Sequence, residues 1–386
     1  MIKTLTAHTI EVDDSSLAIA ELKAQIGTES DLMKNTVGIV ACHYEFVLSG
    51  VFKEICDAFP FDIAGTISSS QSVPVKTDTL ILTLMVLTSD DVSFDTFITP
   101  SLLGEPSKTI AKTYKSNARS EKPALIFVFA PFMPQNSGDE YVDIISEVSG
   151  GAPCFGTLAI DDTDDLTNCF MLYNGRHYRE QMAVITVYGD IHPKFFIANI
   201  SEDKIVEKRG AVVTKSVGPV VMELNGRPVI EYFEELGITK ASETLYAMTS
   251  LPFLIDFNDG SPKVSKIFIM LTPEKHAICG GSVPQGSTLY IASSKKDDVM
   301  CTTGSAVCEI LKEVENYNGL LIYTCISRAM TLGSEQFKEM QLVNEKIGDR
   351  LPYMMVCSGG EICPTEVLSD SAVDRFHNNV FAACLF

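Results

Sequence analysis

Three stretches of the chain follow one plan: a β-rich apolar run, an amphipathic helical run, then a short strand ending in glycine or other small residues. The first uses residues 37–42, 50–58 and 61–65. The second uses 124–130, 138–148 and 152–156. The third runs from 320–325 through a helical stretch at 334–348 to Ser358-Gly359-Gly360-Glu361-Ile362. Runs that switch from one period to the other read as strand–helix–strand units. Parallel strands need a crossover of this kind, whereas antiparallel neighbours can share a tight turn. The spacing between the three is uneven, so they are recurring supersecondary structure rather than a solenoid.

Between these units the pattern is β-branched and aromatic. Residues 79–98, 168–200 and 210–224 read as antiparallel hairpins, with turn residues at Asn174-Gly175 and Asp190. Asn225-Gly226-Arg227-Pro228 then turns into a helix at 229–236, closed by Gly237. Residues 261–271 and 282–292 read as another strand pair, 299–315 as a long helix, and 376–386 as a paired strand. The expected fold class is mixed α/β (α+β): repeated strand–helix–strand units with antiparallel hairpins, in layered sheets flanked by helices. With 386 residues, about two domains are expected at ~100–200 residues each. The natural boundary divides residues 1–224 from 225–386.

The third unit carries the most suggestive chemistry. Its two strand tips read Cys325-Ile326-Ser327-Arg328 and Gly359-Gly360-Glu361. A strand–helix–strand unit brings both tips to one sheet edge, where open α/β folds bind ligands. Arg328 would grip a carboxylate through its planar fork, and Glu361 would accept from an ammonium. Together they would suit the two ends of an amino acid; the bland alternative is a structural ion pair between them. Gly359 and Gly360, like Gly150-Gly151, would let backbone amides approach a ligand, although turn geometry alone also explains such pairs.

Other chemistry is sparse. No GxGxxG or phosphate-loop lysine motif occurs, and the six histidines show no metal-ligand spacing. Asp161-Asp162-Thr163-Asp164-Asp165 lacks the glycine and terminal glutamate of a calcium loop and reads as a solvated turn. Cys325 with His377 as base would make a thiol hydrolase, and His43 beside Cys42 would make a haem or metal site. Both alternatives rest on isolated residues, and the reading is of a non-enzyme without a cofactor.

A net charge of −20 with no Lys/Arg cluster disfavours nucleic acid and anionic membrane surfaces. The run at 80–87 is too short to span a bilayer, and residues 1–14 lack the apolar core of a signal peptide. Eleven scattered cysteines without a CxxC suit a reducing cytoplasm.

The order of these motifs resembles the FIST domain family, with both its N-terminal and C-terminal parts. Ile63-Ala64-Gly65-Thr66 and Gly150-Gly151-Ala152-Pro153-Cys154-Phe155-Gly156 are similar to its glycine-bearing strand ends. Leu224-Asn225-Gly226-Arg227-Pro228 resembles the opening of the C-terminal part. Cys325-Ile326-Ser327-Arg328 and Gly360-Glu361-Ile362 resemble its closing motifs, and His377-Asn378 its final strand, which adds Asn378 to the candidate ligand contacts. In the first half, Ser70-Gln71 stands where the family often has a Gly-Glu-like pair, so a second charged site is not expected there. The resemblance implies a cytoplasmic sensory module for a small ligand such as an amino acid. With no kinase, cyclase or DNA-binding segment evident, its signal is expected to pass to a separate partner.

Overall fold

The computed structural model describes residues 2–27, 31–133, 136–163, 165–237, 251–365 and 373–386. All three strand–helix–strand units form, each with its two strands paired in parallel: Asn35–Cys42 with Asp62–Ile67, Leu125–Ala130 with Cys154–Leu158, and Leu320–Cys325 with Tyr353–Ser358. The Gly138–Ser149 helix shows how locally each is encoded. Ser137 caps its first turn by accepting from the Asp139 amide, Tyr141, Val142 and Ile145 face inward, and Gly150 ends it at φ 68°.

Each parallel pair is the centre of a longer repeat. In the first, the order is strand Lys3–Thr9, helix Ser15–Ile26, strand Asn35–Cys42, helix Val51–Asp57, strand Asp62–Ile67, a hairpin at 71–78, and strand Leu82–Ser89. The second repeats this order from Ser93–Ile98 to Ala183–Tyr188. The third runs from Lys194–Ala198 to Phe381–Leu385, interrupted after its first strand by residues 199–295. Each repeat forms the body of one six-stranded sheet, in which its last strand lies antiparallel between its first strand and the parallel pair.

The hairpins do not stay at home. The hairpin of the first repeat, Gln71–Val73 with Lys76–Asp78, completes the sheet of the third through Met355 and Val356. The hairpin of the second, Met171–Tyr173 with Arg176–Tyr178, completes the sheet of the first. The third repeat returns Glu361–Thr365 and Val373–His377 to the sheet of the second. The three sheets are thereby locked in a ring.

Their inner faces meet in one core, built from Ile39, Met85, Phe127, Ile185, Tyr323 and Val356 among others. Two helices of each repeat cover its outer face, giving three further apolar layers. Gly65 and Gly156 occupy equivalent places beside their parallel partners. A Cβ there would stand 1.8 Å from the Val40 carbonyl oxygen and 2.1 Å from that of Val128, so no larger residue fits.

The interruption in the third repeat is a separate antiparallel structure. Ala211–Val217, Thr288–Ile291, Pro252–Asp256, Val264–Leu271, Ala277–Cys279 and Val220–Leu224 pair in that order, and the first also pairs with the last. The sheet closes on itself as a small barrel around Phe253, Phe268 and Leu289, with the Val229–Glu235 helix against it. Closure removes free edges.

Several hairpin expectations need correction. Leu82–Ser89 and Ser93–Ile98 do not pair with each other, nor do Ala183–Tyr188 and Lys194–Ala198. The short links at 90–92 and 189–193 are corners where the chain leaves one repeat for the next. Leu82–Ser89 is buried along its whole length and takes Lys3–Thr9 and Asn35–Cys42 as its two neighbours, leaving no side for a hairpin partner. Likewise Val264–Leu271 pairs within the barrel with Pro252–Asp256 and Ala277–Cys279, not with Thr288–Ile291.

Candidate functional site

The C-terminal ends of the three parallel pairs converge, and the exchanged hairpins tie them together. The Ser68 hydroxyl donates to the Cys357 carbonyl at 2.8 Å, and the Cys357 amide donates to the Ser70 carbonyl at 2.9 Å. The Gly359 amide donates to the Leu158 carbonyl at 2.9 Å, and the Leu158 amide to Gly360 at the same distance. The Ile67 amide donates to the Phe170 carbonyl at 2.9 Å, and the Ile160 amide to Ile67 at 3.4 Å. Tip one binds tip three, tip three binds tip two, and tip two binds tip one. Ser68 and Ser358 play the same local role, each donating its hydroxyl to the carbonyl two residues on, Ser70 and Gly360.

A cavity of ≈ 310 Å³ opens on this junction. Its floor carries Ser69 and Ser70 from the first tip, Ile160 and Asp161 from the second, and Gly359 from the third. Ile326, Ala329 and Met330 form one apolar wall, and Phe132 and Leu166 another. The barrel and its following turn contribute Ile267, Ile269 and Gly280. Gln336, Asn378 and Asp162 add polar groups, and among the described residues no Lys or Arg lines the cavity. The barrel is anchored beside it by Lys266, fully buried, whose ammonium meets Asp139 at 2.8 Å and the Phe376 carbonyl at 2.8 Å. Burial lowers the Lys266 pKa, and the Asp139 carboxylate opposes that shift.

Of the expected ligand contacts, Gly359 and Asn378 line this cavity, while Arg328 and Glu361 lie beneath the surface and do not bond each other. Arg328 pairs with Glu339 at 2.8 Å, with side chains only 2% and 3% exposed. It also donates to Thr303 Oγ1 at 2.8 Å, the Val299 carbonyl at 3.1 Å and the Asn379 carbonyl at 3.4 Å. Arg328 also lines a second, smaller hollow, together with Ser201, Ser294 and Thr302. The expectation that Arg328 and Glu361 face one crevice is thus replaced. The helix after Arg328 folds Glu339 back over it, and a buried guanidinium takes the nearest buried carboxylate.

Glu361 is fully buried at the start of its strand, and among the described residues no cation forms an ion pair with it. Burial pushes its carboxyl well above the ordinary carboxylate range, opposed by the neighbouring Ser358 hydroxyl and Cys325 thiol. Cys325 is 1% exposed and its thiol is pushed up by burial and by Glu361. The Ser327 hydroxyl bridges Cys325 Sγ at 3.2 Å and Asn379 Oδ1 at 3.1 Å, linking the Glu361 side of this interior to Arg328. Gly360, at φ 152°, passes under Phe376, where a Cβ would stand 2.4 Å from the ring.

His377 is buried with its pKa lowered by burial to about 4, and its Nε2 faces the Cys363 carbonyl at 3.1 Å rather than Cys325. His43 Nε2 lies 3.3 Å from Asp162 Oδ2 at the cavity rim. The acidic run is not wholly solvated. Asp161 is 3% exposed and accepts from the Asn168 amide at 2.7 Å and the Thr163 hydroxyl at 2.8 Å, while residue 164 lies outside the described residues. No cluster of metal-ligating side chains occurs among the described residues. Ser69, Gln336 and the barrel residues were not legible as site residues, because the tips of separate repeats and the inserted barrel come together only in the fold.

Known proteins place the chain as follows. The FIST N domain model matches residues 36–227 and the FIST C domain model matches residues 230–364. No curated protein matches. Among solved structures, "T. maritima PurL complexed with FGAR" aligns over 100% of this chain and 72% of its own, at 9% identity and a TM-score of 0.21.

Proposed function

The chain belongs to the FIST family, whose domains are associated with signal transduction and small-ligand sensing, and from that premise we propose that it is a binding protein for a small metabolite held in the central cavity. The observation that carries this reading is the cavity itself. It stands where the C-terminal ends of all three parallel pairs meet, the favoured ligand position in sheets of this kind. At ≈ 310 Å³ it lies at the small end of ligand pockets, which run from about 300 to 1,000 Å³. Its mixed lining suits an amino acid: an apolar body against Ile326 and Ile267, and a carboxylate met by neutral donors such as the Ser69 and Ser70 hydroxyls and the Gln336 amide. Arg328 is spent on Glu339 and does not line this cavity.

Recognition fits these groups better than catalysis. Cys325 is buried with its thiol pushed up, and His377 points elsewhere, so the pair lacks an activated nucleophile. All eleven cysteines are free, which supports a reducing compartment such as the cytoplasm. Among the described residues no helix is long and apolar enough to cross a membrane. The barrel contributes to the cavity lining and would report its occupancy to a separate signalling partner.

The test is a thermal-shift panel of the twenty amino acids, repeated on Ala329→Phe, which fills the cavity. A ligand at a hundred times its Kd stabilises by about 2.7 kcal/mol. At about 2.1 cal/mol/K per residue, that raises Tm by roughly 3 °C. Stabilisation that survives Ala329→Phe would remove the cavity from consideration.

A further inference from the structure

We propose that the cavity selects a ligand bearing a protonated amine, and that the Asn378 side chain is the acceptor that reads it; this rests on the reading that the cavity is the ligand site. Asn378 is 1% exposed, yet its Oδ1 has no hydrogen-bond partner in the protein. A buried acceptor left this way costs about 1–3 kcal/mol. The surroundings are nevertheless shaped to keep the amide where it is. A Cβ at Gly280 would stand 2.3 Å from Oδ1, and one at Gly360 3.1 Å from Nδ2, so the amide passes between two residues that lack side chains. Its own backbone amide is fixed to the Ser265 carbonyl at 2.9 Å. Asn378 lines the cavity, and a ligand donor that reaches its enclosed Oδ1 would supply the missing partner.

The charge around it chooses among donors. Asp161 and Asp162 line the same cavity, no Lys or Arg among the described residues does, and the nearby Lys266 is already paired with Asp139. A hydroxyl or neutral amide would satisfy Asn378 alone, whereas an ammonium would also be favoured by the acidic lining. The apolar lining residues Ile160, Ile326 and Ile267 then accept an aliphatic body. The ligand class is therefore a primary ammonium on a branched aliphatic chain, with a carboxylate permitted but not required.

Three probes of one shape separate the groups: L-leucine, 3-methylbutylamine and 4-methylpentanoate, titrated calorimetrically into the full chain. Both amines should bind, and the carboxylate without an amine should bind at least ~10-fold more weakly. Asn378→Leu should weaken the amines about 10- to 100-fold, the value of one charge-assisted hydrogen bond. Asn378→Asp, of the same shape, should retain or tighten them, and it guards against a misfolded Leu variant, with circular dichroism confirming the fold of each. The proposal is overturned if neither amine binds, if 4-methylpentanoate binds as well as 3-methylbutylamine, or if folded Asn378→Leu binds like the parent. Ala329→Phe separates the two layers: amine binding that survives it refutes the cavity itself. Binding lost in Ala329→Phe, with no preference for amines, refutes only the role of Asn378.

Discussion

Replacing Arg328 by Met removes a guanidinium while keeping much of its volume. The lost group serves Glu339, Thr303 and the carbonyls of Val299 and Asn379, all of them buried. The larger penalty falls on Glu339, whose carboxylate stays buried with only Thr303 and Thr324 hydroxyls as donors. Breaking a buried pair on one side costs about 3–5 kcal/mol, far more than an exposed pair would. Spread over 386 residues at about 2.1 cal/mol/K each, the unfolding entropy is ~0.8 kcal/mol/K, so Tm should fall by roughly 4–6 °C. Scanning calorimetry reads this directly. The double variant Arg328→Met with Glu339→Leu should recover most of the loss, because the stranded charge goes too. A fall of less than about 1 °C for the single variant would mean that water reaches the guanidinium, and the argument that it is unavailable to a ligand would fail.

His377 has its pKa lowered to about 4 by burial, against an unfolded value of about 6.5. The unfolded chain therefore binds the extra proton first, and this group's contribution to stability is lost as pH falls from 6.5 to 4. His377→Gln should gain about 3 kcal/mol relative to the parent across that window in urea titrations; a pH-independent difference would contradict it. Gly65→Ala should cost at least ~3 kcal/mol, since its Cβ would meet the Val40 carbonyl at 1.8 Å and backbone cannot move aside cheaply. A soluble variant of unchanged Tm would disprove the close approach. Brief iodoacetamide treatment of the native protein should label Cys301 and Cys308, both exposed, and spare Cys325. Labelling of Cys325 on the same timescale, read by peptide mass spectrometry, would restore the thiol mechanism.

The parallel pairs were legible because their signals are local: an apolar run, an amphipathic helix, a small residue at the stop. The ring was not. Asp90-Asp91 and Gly189-Asp190 carry the same turn chemistry at a sheet-to-sheet corner as Asn174-Gly175 does in a true hairpin. What differs is the neighbour each strand takes, and that is decided by strands from other repeats. The pairing of Arg328 was missed for another reason. Glu339 shares the buried face of its helix with Met340 and Val343, so a carboxylate set into an apolar stripe was the available clue. Gly359 and Asn378 were found at the cavity because strand tips gather in any such fold; which charge they would meet depended on the exchanged hairpins.

The exchange of hairpins also limits how this protein can be cut. A fragment ending near residue 227, where the FIST N match stops, keeps the Cys154–Leu158 strand but loses Glu361–Thr365, its antiparallel neighbour. It keeps the Gln71–Val73 strand as well, now without Met355 and Val356 to hold it. Bare strand edges of this sort recruit other chains. The boundary drawn between the two named halves is therefore a boundary of description, and either half made alone should be sticky where the whole is not.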